Sequence, residues 1–373
     1  MVRRRGGLAG DPFVGASVRM GSRKGAFRGP QSHPAVAVEC RGGSVMADKV
    51  RIGFVGSGNI AEAHAKALQT MPDVELAAFC DVDPERAQKK VASFGGKAYS
   101  DYREMYSSEK LDAVFICLRP AEHGGPELDA AALGIPFFIE KPVGNNVEVL
   151  AKIETAVREA NLLTSVGYMN RYRRGIQRAK AIFAEDPPVT LHGGWIGGKP
   201  RGGGWWVTKS VSGGQLLEQT THTVDLVRYL CGEACEVFAY ATREFNKDVQ
   251  GYSIEDASIC LIRLARGGMA TLLSACACNV GGGVWLTVWS QNAKAEFWGW
   301  EHSGRIHMKD REPEEIAGEG DIFAVEDRIF IDAVKTGDRS KILCTYEDGA
   351  RTARLTIAAN ESMVTGKPVP IAP

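Results

Sequence analysis

Apolar positions fall into two different rhythms along the chain. Between positions 50 and 166, short runs rich in β-branched and aromatic residues alternate with stretches whose apolar residues recur at helical spacing. The pattern predicts strands over 50–55, 74–80, 113–117, 136–139 and 162–166, and helices over 59–69, 84–94, 126–133 and 147–160. Strands that alternate with helices form a parallel sheet, since each helix carries the chain back to the end from which the next strand starts. After about Tyr168 the rhythm changes. A glycine-rich stretch over 193–214 leads into a helix predicted over 215–230. Strand-like runs follow over 237–242, 257–264, 269–275, 284–290 and 293–298, and two helices over 322–335 and 347–365 close the chain. Strands that follow one another without helices between them imply a mostly antiparallel sheet, with the helix at 215–230 across one face.

A chain of 373 residues exceeds what one hydrophobic core usually serves, so two domains are expected, over 47–168 and 169–373. Residues 1–46 are different in kind. Up to position 45 they hold eight Arg or Lys against Asp11 and Glu39, with many Gly and Ser and no periodicity, the composition of a disordered extension. Met46-Ala47-Asp48-Lys49 leads directly into the first strand, so translation is expected to start at Met46. Arg3-Arg4-Arg5 lacks the following apolar run of about 7–15 residues that an export signal needs.

Composition narrows the function further. Lys and Arg together number 45, as do Asp and Glu, so the chain lacks the basic footprint of a nucleic-acid or membrane-surface binder. No apolar run reaches the roughly 18 residues of a membrane span. The nine cysteines sit mostly inside apolar runs such as Ala78-Phe79-Cys80, which reads as buried free thiols in a reducing compartment, the cytoplasm. None of them stands at zinc-binding spacing, and no metal is expected.

The chemistry begins at the end of the first strand. Gly56-Ser57-Gly58-Asn59-Ile60-Ala61 places Gly-x-Gly-x-x-Ala between a strand and a helix, the setting of a Rossmann dinucleotide-binding turn. Gly56 permits the tight turn, Gly58 lets the backbone approach a pyrophosphate, and Ala61 allows close packing of helix on strand. Free N–H groups at the helix start, among Ser57, Asn59 and Ile60, would bind phosphate oxygens. Twenty residues past Ala61, Asp81 ends the second strand, where a carboxylate accepts from ribose hydroxyls and repels a 2′-phosphate. This favours NAD over NADP, with Lys49, Arg51 and Arg86 as the cations that could receive a phosphate instead.

Ligands of such sheets lie beyond the carboxyl ends of the strands. The strand ending at Ile139 is followed by Glu140-Lys141-Pro142, which puts a cation at the rim where a nicotinamide would lie. Glu218, His222 and Asp225 are spaced four and three apart, which would put all three on one face of the helix predicted there. An imidazole flanked by carboxylates suits proton transfer near neutral pH, so His222 is the candidate base. After the strand ending at Cys117, Arg119 could approach the cofactor's ribose or the substrate; His123 could do the same or serve as a structural residue at the start of a helix. All seven tryptophans lie past position 168. Trp205 and Trp206 in the glycine-rich stretch are candidates to stack on a sugar, while Trp195, Trp285, Trp289, Trp298 and Trp300 read as packing. Arg171, Arg173, Lys199 and Arg201 are further candidates for polar substrate contacts, although charged loop residues are most often simply solvated.

Together these residues resemble the Gfo/Idh/MocA family of glucose-fructose oxidoreductase and inositol dehydrogenase relatives. The resemblance spans 50–373 and is carried by the turn at Gly56 to Ala61, by Cys80-Asp81-Val82-Asp83-Pro84-Glu85-Arg86-Ala87, by Glu140-Lys141-Pro142, and by Gly213-Gly214 with Glu218, His222 and Asp225. It implies that Lys141 and His222 flank the reacting carbon, that His222 takes the hydroxyl proton, and that Glu218 orients it. Glu218 departs from the Asp usual in inositol-dehydrogenase-like members, and Leu118-Arg119 from the small or hydroxylated residues often found at that strand end. An NAD-dependent oxidoreductase of sugars, inositols or polyols is therefore expected, assembled as a homodimer or homotetramer across the outer face of its second sheet. Two other readings stand beside it: a redox-neutral glycosidase that transiently oxidises a sugar carbon with retained NAD, and a non-catalytic dinucleotide-binding protein.

Overall fold

The computed structural model of the protein describes residues 49–372, so the expected disorder of 1–46 and the expected start at Met46 lie outside the described residues. The chain opens with strand β1 (Val50–Val55), helix α1 (Asn59–Gln69), β2 (Val74–Cys80), α2 (Pro84–Phe94), β3 (Lys97–Tyr99), α3 (Tyr102–Ser108), β4 (Ala113–Ile116), α4 (Gly125–Leu133), β5 (Phe137–Ile139), α5 (Val147–Glu159) and β6 (Thr164–Val166). The strands pair in parallel in the order β3-β2-β1-β4-β5-β6. This is the doubly wound order, and it reverses direction between β1 and β4, where a crevice opens. Local signals set the ends of these elements. Asp83, for example, accepts the Glu85 N–H as a cap while Pro84 occupies the first turn of α2, where a missing N–H costs nothing. The apolar pattern does not disclose β3 or α3. The first has three partly exposed residues and the second seven residues, too short for either period to register.

Register makes the core of this sheet. Phe79, Phe54, Phe115 and Phe138 stand opposite one another on β2, β1, β4 and β5. Their rings stack in a row with centroids 5.0, 5.3 and 4.8 Å apart. All four are fully buried.

The remainder comprises α6 (Arg174–Glu185), β7 (Thr190–Ile196), α7 (Lys209–Ser212), α8 (Gln215–Glu218), α9 (Thr221–Cys231), β8 (Ala234–Thr242), β9 (Ala257–Leu264), β10 (Met269–Ala275), β11 (Gly283–Trp289), β12 (Ala293–Trp298), β13 (Ser303–Met308), β14 (Glu314–Ile316), α10 (Ile322–Thr336), α11 (Tyr346–Thr365) and β15 (Val369–Pro370). Nine strands form a second sheet in the order β14-β13-β12-β11-β7-β10-β9-β8-β15. It is antiparallel apart from the parallel pair β7 and β10. The expected α+β part is thus present, with a mixed sheet. Its central strand β7 escapes the apolar pattern because it carries Gly193 and Gly194. A side chain at Gly194 would collide with the Leu273 carbonyl on β10, so close strand approach requires the residue that weakens the strand signal.

Two expectations need correction. The helix expected over 215–230 is two helices, α8 and α9, broken at Gln219 and Thr220. The inner face of the second sheet is covered by α6, α9 and α11 together, through residues such as Phe183, Val227 and Leu355, and not by one helix. The last two helices also serve the first sheet. Phe330 and Ile331 of α10 join the core around the phenylalanine row, and Tyr346, Ala350 and Ala353 of α11 join the core on the other face. A cut at 168 separates the sheets but not their cores, and the described residues form one compact unit.

Arg171, expected as a substrate contact or a solvated charge, is instead a buried tie between these parts. Its Nε and Nη2 donate to the two oxygens of Asp225 on α9 at 2.8 and 2.6 Å, Nη1 donates to the Leu343 carbonyl at 2.6 Å, and Asp348 of α11 completes the set. Removing one partner of such a pair strands a charge in the interior. Asp225→Ala should therefore lower unfolding free energy by about 3–5 kcal/mol in chemical denaturation, whereas Glu347→Ala, which removes the exposed partner of Arg351, should change it little.

Candidate active site

The crevice at the carboxyl ends of β1 and β4 begins with Gly56. Its φ is +89°, and a Cβ there would collide with the Cys117 carbonyl at the end of β4, so only glycine lets the chain turn there. Gly58 precedes α1 without a side-chain cap, and a Cβ built on it would meet nothing within 4 Å. The first N–H groups of α1 therefore face open space, the arrangement that receives an anion. At the end of β2, Asp81 accepts the Ser57 N–H on Oδ2 and the Asp83 N–H on Oδ1, both at 2.9 Å. The carboxylate is fixed in place, with lone pairs left on both oxygens, and the Ser57 N–H expected to be free for a phosphate is donated to it instead.

These groups line a cavity of about 1440 Å³ that continues past Arg119 to Glu140, Lys141, Trp205 and Glu218. The fit to a dinucleotide is good. A bare helix N-terminus lies between a fixed carboxylate at one end and a cation at the other. Gly56, Ser57, Gly58, Asn59, Ile60, Asp81, Glu140 and Lys141 all line this one space. Of the cations considered for a phosphate, Arg86 lines it, whereas Arg51 is tied to Glu75 and Glu109.

At the far end, Lys141 Nζ donates to the Glu218 carbonyl at 3.2 Å and to Glu218 Oε1 at 3.3 Å. The indole N–H of Trp206 donates to Glu218 Oε2 at 2.7 Å. The geometry thus corrects the expectation that Glu218 orients His222. The break between α8 and α9 turns Glu218 toward Lys141, and Glu218 has no hydrogen bond to the imidazole. Asp225, expected as a carboxylate flanking His222 and as a substrate contact, does not line the cavity and holds Arg171 instead.

His222 is buried without a carboxylate partner. Its ring stands edge-on to Tyr168 and Trp300, each centroid 6.2 Å away, and its Nδ1 has no hydrogen-bond partner. Burial, reinforced by the nearby Lys141, His302 and Arg173, pushes its pKa well below the ordinary imidazole value. The expected flanking carboxylates would have done the opposite. His222 is accordingly a neutral imidazole near pH 7, the state that can accept a proton.

The remaining expected residues divide. The Arg119 guanidinium lies 6.0 Å from the Trp205 ring centroid and both line the cavity. His123 does not; it is buried, with Nδ1 2.6 Å from Glu127 at the start of α4, which is the structural alternative. Trp206 reaches the site only through Glu218. Sequence reasoning missed Tyr168 and Trp300 beside His222, and Trp195 against Trp300 with centroids 5.8 Å apart, since nothing in their spacing marks them. Arg173, read from the sequence as a candidate substrate contact or a solvated charge, is neither; it is buried. Its guanidinium donates to the carbonyls of Trp300 and Glu301 at 2.9 Å and to that of Glu319, pinning the turn that carries Trp300.

Comparison with known proteins agrees with this geometry. Residues 50–168 match the family model described as oxidoreductase family, NAD-binding Rossmann fold, and residues 187–296 match the GFO/IDH/MocA C-terminal domain. The chain belongs to the Gfo/Idh/MocA family. An uncharacterized oxidoreductase of Bacillus subtilis, YrbE, is 23% identical over 344 residues, covering 87% of this chain and 98% of that protein. The myo-inositol 2-dehydrogenase of Thermotoga maritima is 26% identical over 225 residues, covering 60% of this chain and 67% of that protein. Among solved structures, a levoglucosan dehydrogenase in complex with NADH superposes with a TM-score of 0.79 at 20% identity, over 87% of this chain and 100% of that one. This Gfo/Idh/MocA member is thus an NAD-binding oxidoreductase with the family's two-part fold, and among the described residues no helix is long and apolar enough to cross a membrane.

The histidines around Trp300 give its site a pH signature. Burial, with Arg173 adding to it, holds His302 down to about 4 from its ordinary 6.5. A depressed folded pKa means that the unfolded chain binds the proton first, so this contribution to stability is complete above about 6.5 and is lost as pH falls toward 4. In denaturant melts across that window, His302→Gln should lose less stability than the wild type.

Proposed function

We propose that this chain is a dehydrogenase that uses NAD to oxidise a secondary hydroxyl of a sugar, inositol or related polyol, or to reduce the corresponding ketone. The observation that carries this reading is the single cavity that runs from the bare N-terminus of α1 past Asp81 to Lys141 and Glu218, with His222 outside its lining but buried on α9, the helix that starts three residues after Glu218. When bound, the nicotinamide supplies the hydride acceptor. Lys141 holds the substrate oxygen and stabilises negative charge developing on it. His222 takes the hydroxyl proton onto its imidazole, a role open to it because it is neutral. Glu218 positions Lys141. Trp205 offers an aromatic face to the apolar side of the sugar ring, and Arg119 beside it offers a contact for a substrate carboxylate. NAD rather than NADP follows from Asp81, whose fixed carboxylate would repel a 2′-phosphate.

Two further readings have physical support. The outer face of the second sheet exposes Tyr240, Ile259, Leu261, Met269, Trp289 and Trp298, an apolar surface that suits a homodimer or homotetramer. The eight cysteines among the described residues are free, as befits the cytoplasm.

The test is the rise in reduced-cofactor absorbance when the full chain meets NAD or NADP with a panel of inositols, aldoses, uronates and glycosides. NAD with one class of polyol or sugar should give turnover. His222→Ala should lower kcat by roughly 10²–10⁴-fold with NAD affinity kept. Full turnover in that variant would remove His222 from the mechanism. Silence with every substrate, with NAD found already bound, would favour the redox-neutral glycosidase.

A further inference from the structure

His64 is fully buried on α1, the helix whose first turn opens the cofactor cavity. Its Nδ1 lies 2.8 Å from Asp327 Oδ1 on α10, and its Nε2 lies 2.9 Å from Glu140 Oε1 just past β5. The ring is wedged against the phenylalanine row, with Phe115 and Phe138 centroids at 5.4 and 5.0 Å, and Phe323 closes the other side at 5.3 Å. A neutral imidazole has only one N–H. A carboxylate oxygen at hydrogen-bond distance from each nitrogen is met most simply by an imidazolium with two donors. Burial disfavours that charge and pushes the Asp327 carboxyl up as well, but a carboxylate oxygen on each ring nitrogen raises the imidazole well above its ordinary value. Glu326, buried alongside with neither oxygen hydrogen-bonded, is pushed well up by burial and is the neutral carboxyl of the group.

Glu140 is where this cluster reaches the cavity. It lines the cofactor space, its Oε2 accepts the N–H of Lys141 at 3.1 Å, and a Cβ on Gly167 would stand 2.5 Å from its Oε1, so the carboxylate has little freedom to move. His64, Glu326 and Asp327 could also bring one metal-ligating atom each within 4.8 Å of one another. A metal there would have to take a His64 nitrogen already engaged by a carboxylate.

We propose that His64 is a positioning residue for the cofactor. Held as an imidazolium by Asp327, it fixes the Glu140 carboxylate in the cavity wall and offsets its charge, so that an anionic dinucleotide is not repelled there. This rests on the reading of the cavity as a nicotinamide-dinucleotide site, and on neither the substrate nor the role of His222.

The experiment measures the Kd of NAD by fluorescence titration for the wild type, His64→Gln, Glu140→Gln and the double variant, with folding checked by circular dichroism and metal content by elemental analysis. Glutamine keeps an amide donor but no charge. The expected result is NAD binding at least tenfold weaker in His64→Gln, with that loss largely absent when the same change is made in the Glu140→Gln background. If His64→Gln does not fold, Asp327→Asn, which removes the charge that holds the imidazolium, should weaken binding in the same direction. Wild-type affinity in the folded variants, or an equal loss in both backgrounds, would overturn the proposal while leaving NAD binding standing. Stoichiometric metal that is lost in His64→Gln would replace the imidazolium with a metal site. A wild type that binds no dinucleotide would overturn the cofactor reading and this inference together.

Discussion

The parallel register that lines up Phe79, Phe54, Phe115 and Phe138 governs everything at the cofactor edge of this molecule. Each ring is fully buried, which contributes roughly 1.5–3 kcal/mol apiece by removal of apolar surface from water, and a slip of one residue would turn that strand's ring to the other face. The same register fixes where β2, β1, β4 and β5 end. It therefore places Asp81, Gly56, Arg119 and Glu140 along one rim, a few residues past their phenylalanines. His64, braced on Phe115 and Phe138, is located by the row as well.

Two buried histidines show how this scaffold separates charge states. Both are buried, which alone would keep both neutral. His64 has a carboxylate on each nitrogen and is driven toward the imidazolium. His222 has cations near it and no carboxylate, and is driven toward the neutral ring. The contrast comes from helix geometry. α1 and β5 aim His64 and Glu140 at each other, whereas the break after Glu218 removes from His222 the carboxylate that an unbroken helix would have set one turn away.

How far the chain could be read in advance follows from the same physics. The first two strands and helices were legible to the residue because pattern, caps and the glycine turn all agree there, as Asp83 and Pro84 do for α2. The rim residues were legible because strand ends are where ligands bind. Central strand β7 was hidden by its glycines, and the break at Gln219 and Thr220 by an apolar spacing that continues across it. Asp225 and Arg171 misled for one reason: a charged residue's spacing on its own helix says nothing of a partner more than fifty positions away. Arg173 and Trp300 are joined only by folding, and no local signal marks either one.

The sharing of α10 and α11 between the two sheets bears on the order in which the molecule can be completed. The ribosome delivers the nucleotide-binding strands first, yet the helix that covers Phe115 and Phe138 is encoded more than 180 positions later. Until Phe330 arrives, its ring centroid finally 5.6 and 5.8 Å from theirs, the part of that face that α1 leaves uncovered lies open to water and to other nascent chains. A message truncated anywhere between the sixth strand and the tenth helix would encode every residue of the phosphate-binding turn and still release a sticky, unfinished sheet. Quality control in the cell would thus see the last seventh of this polypeptide, from Ile322 on, as the part that decides whether the first half survives.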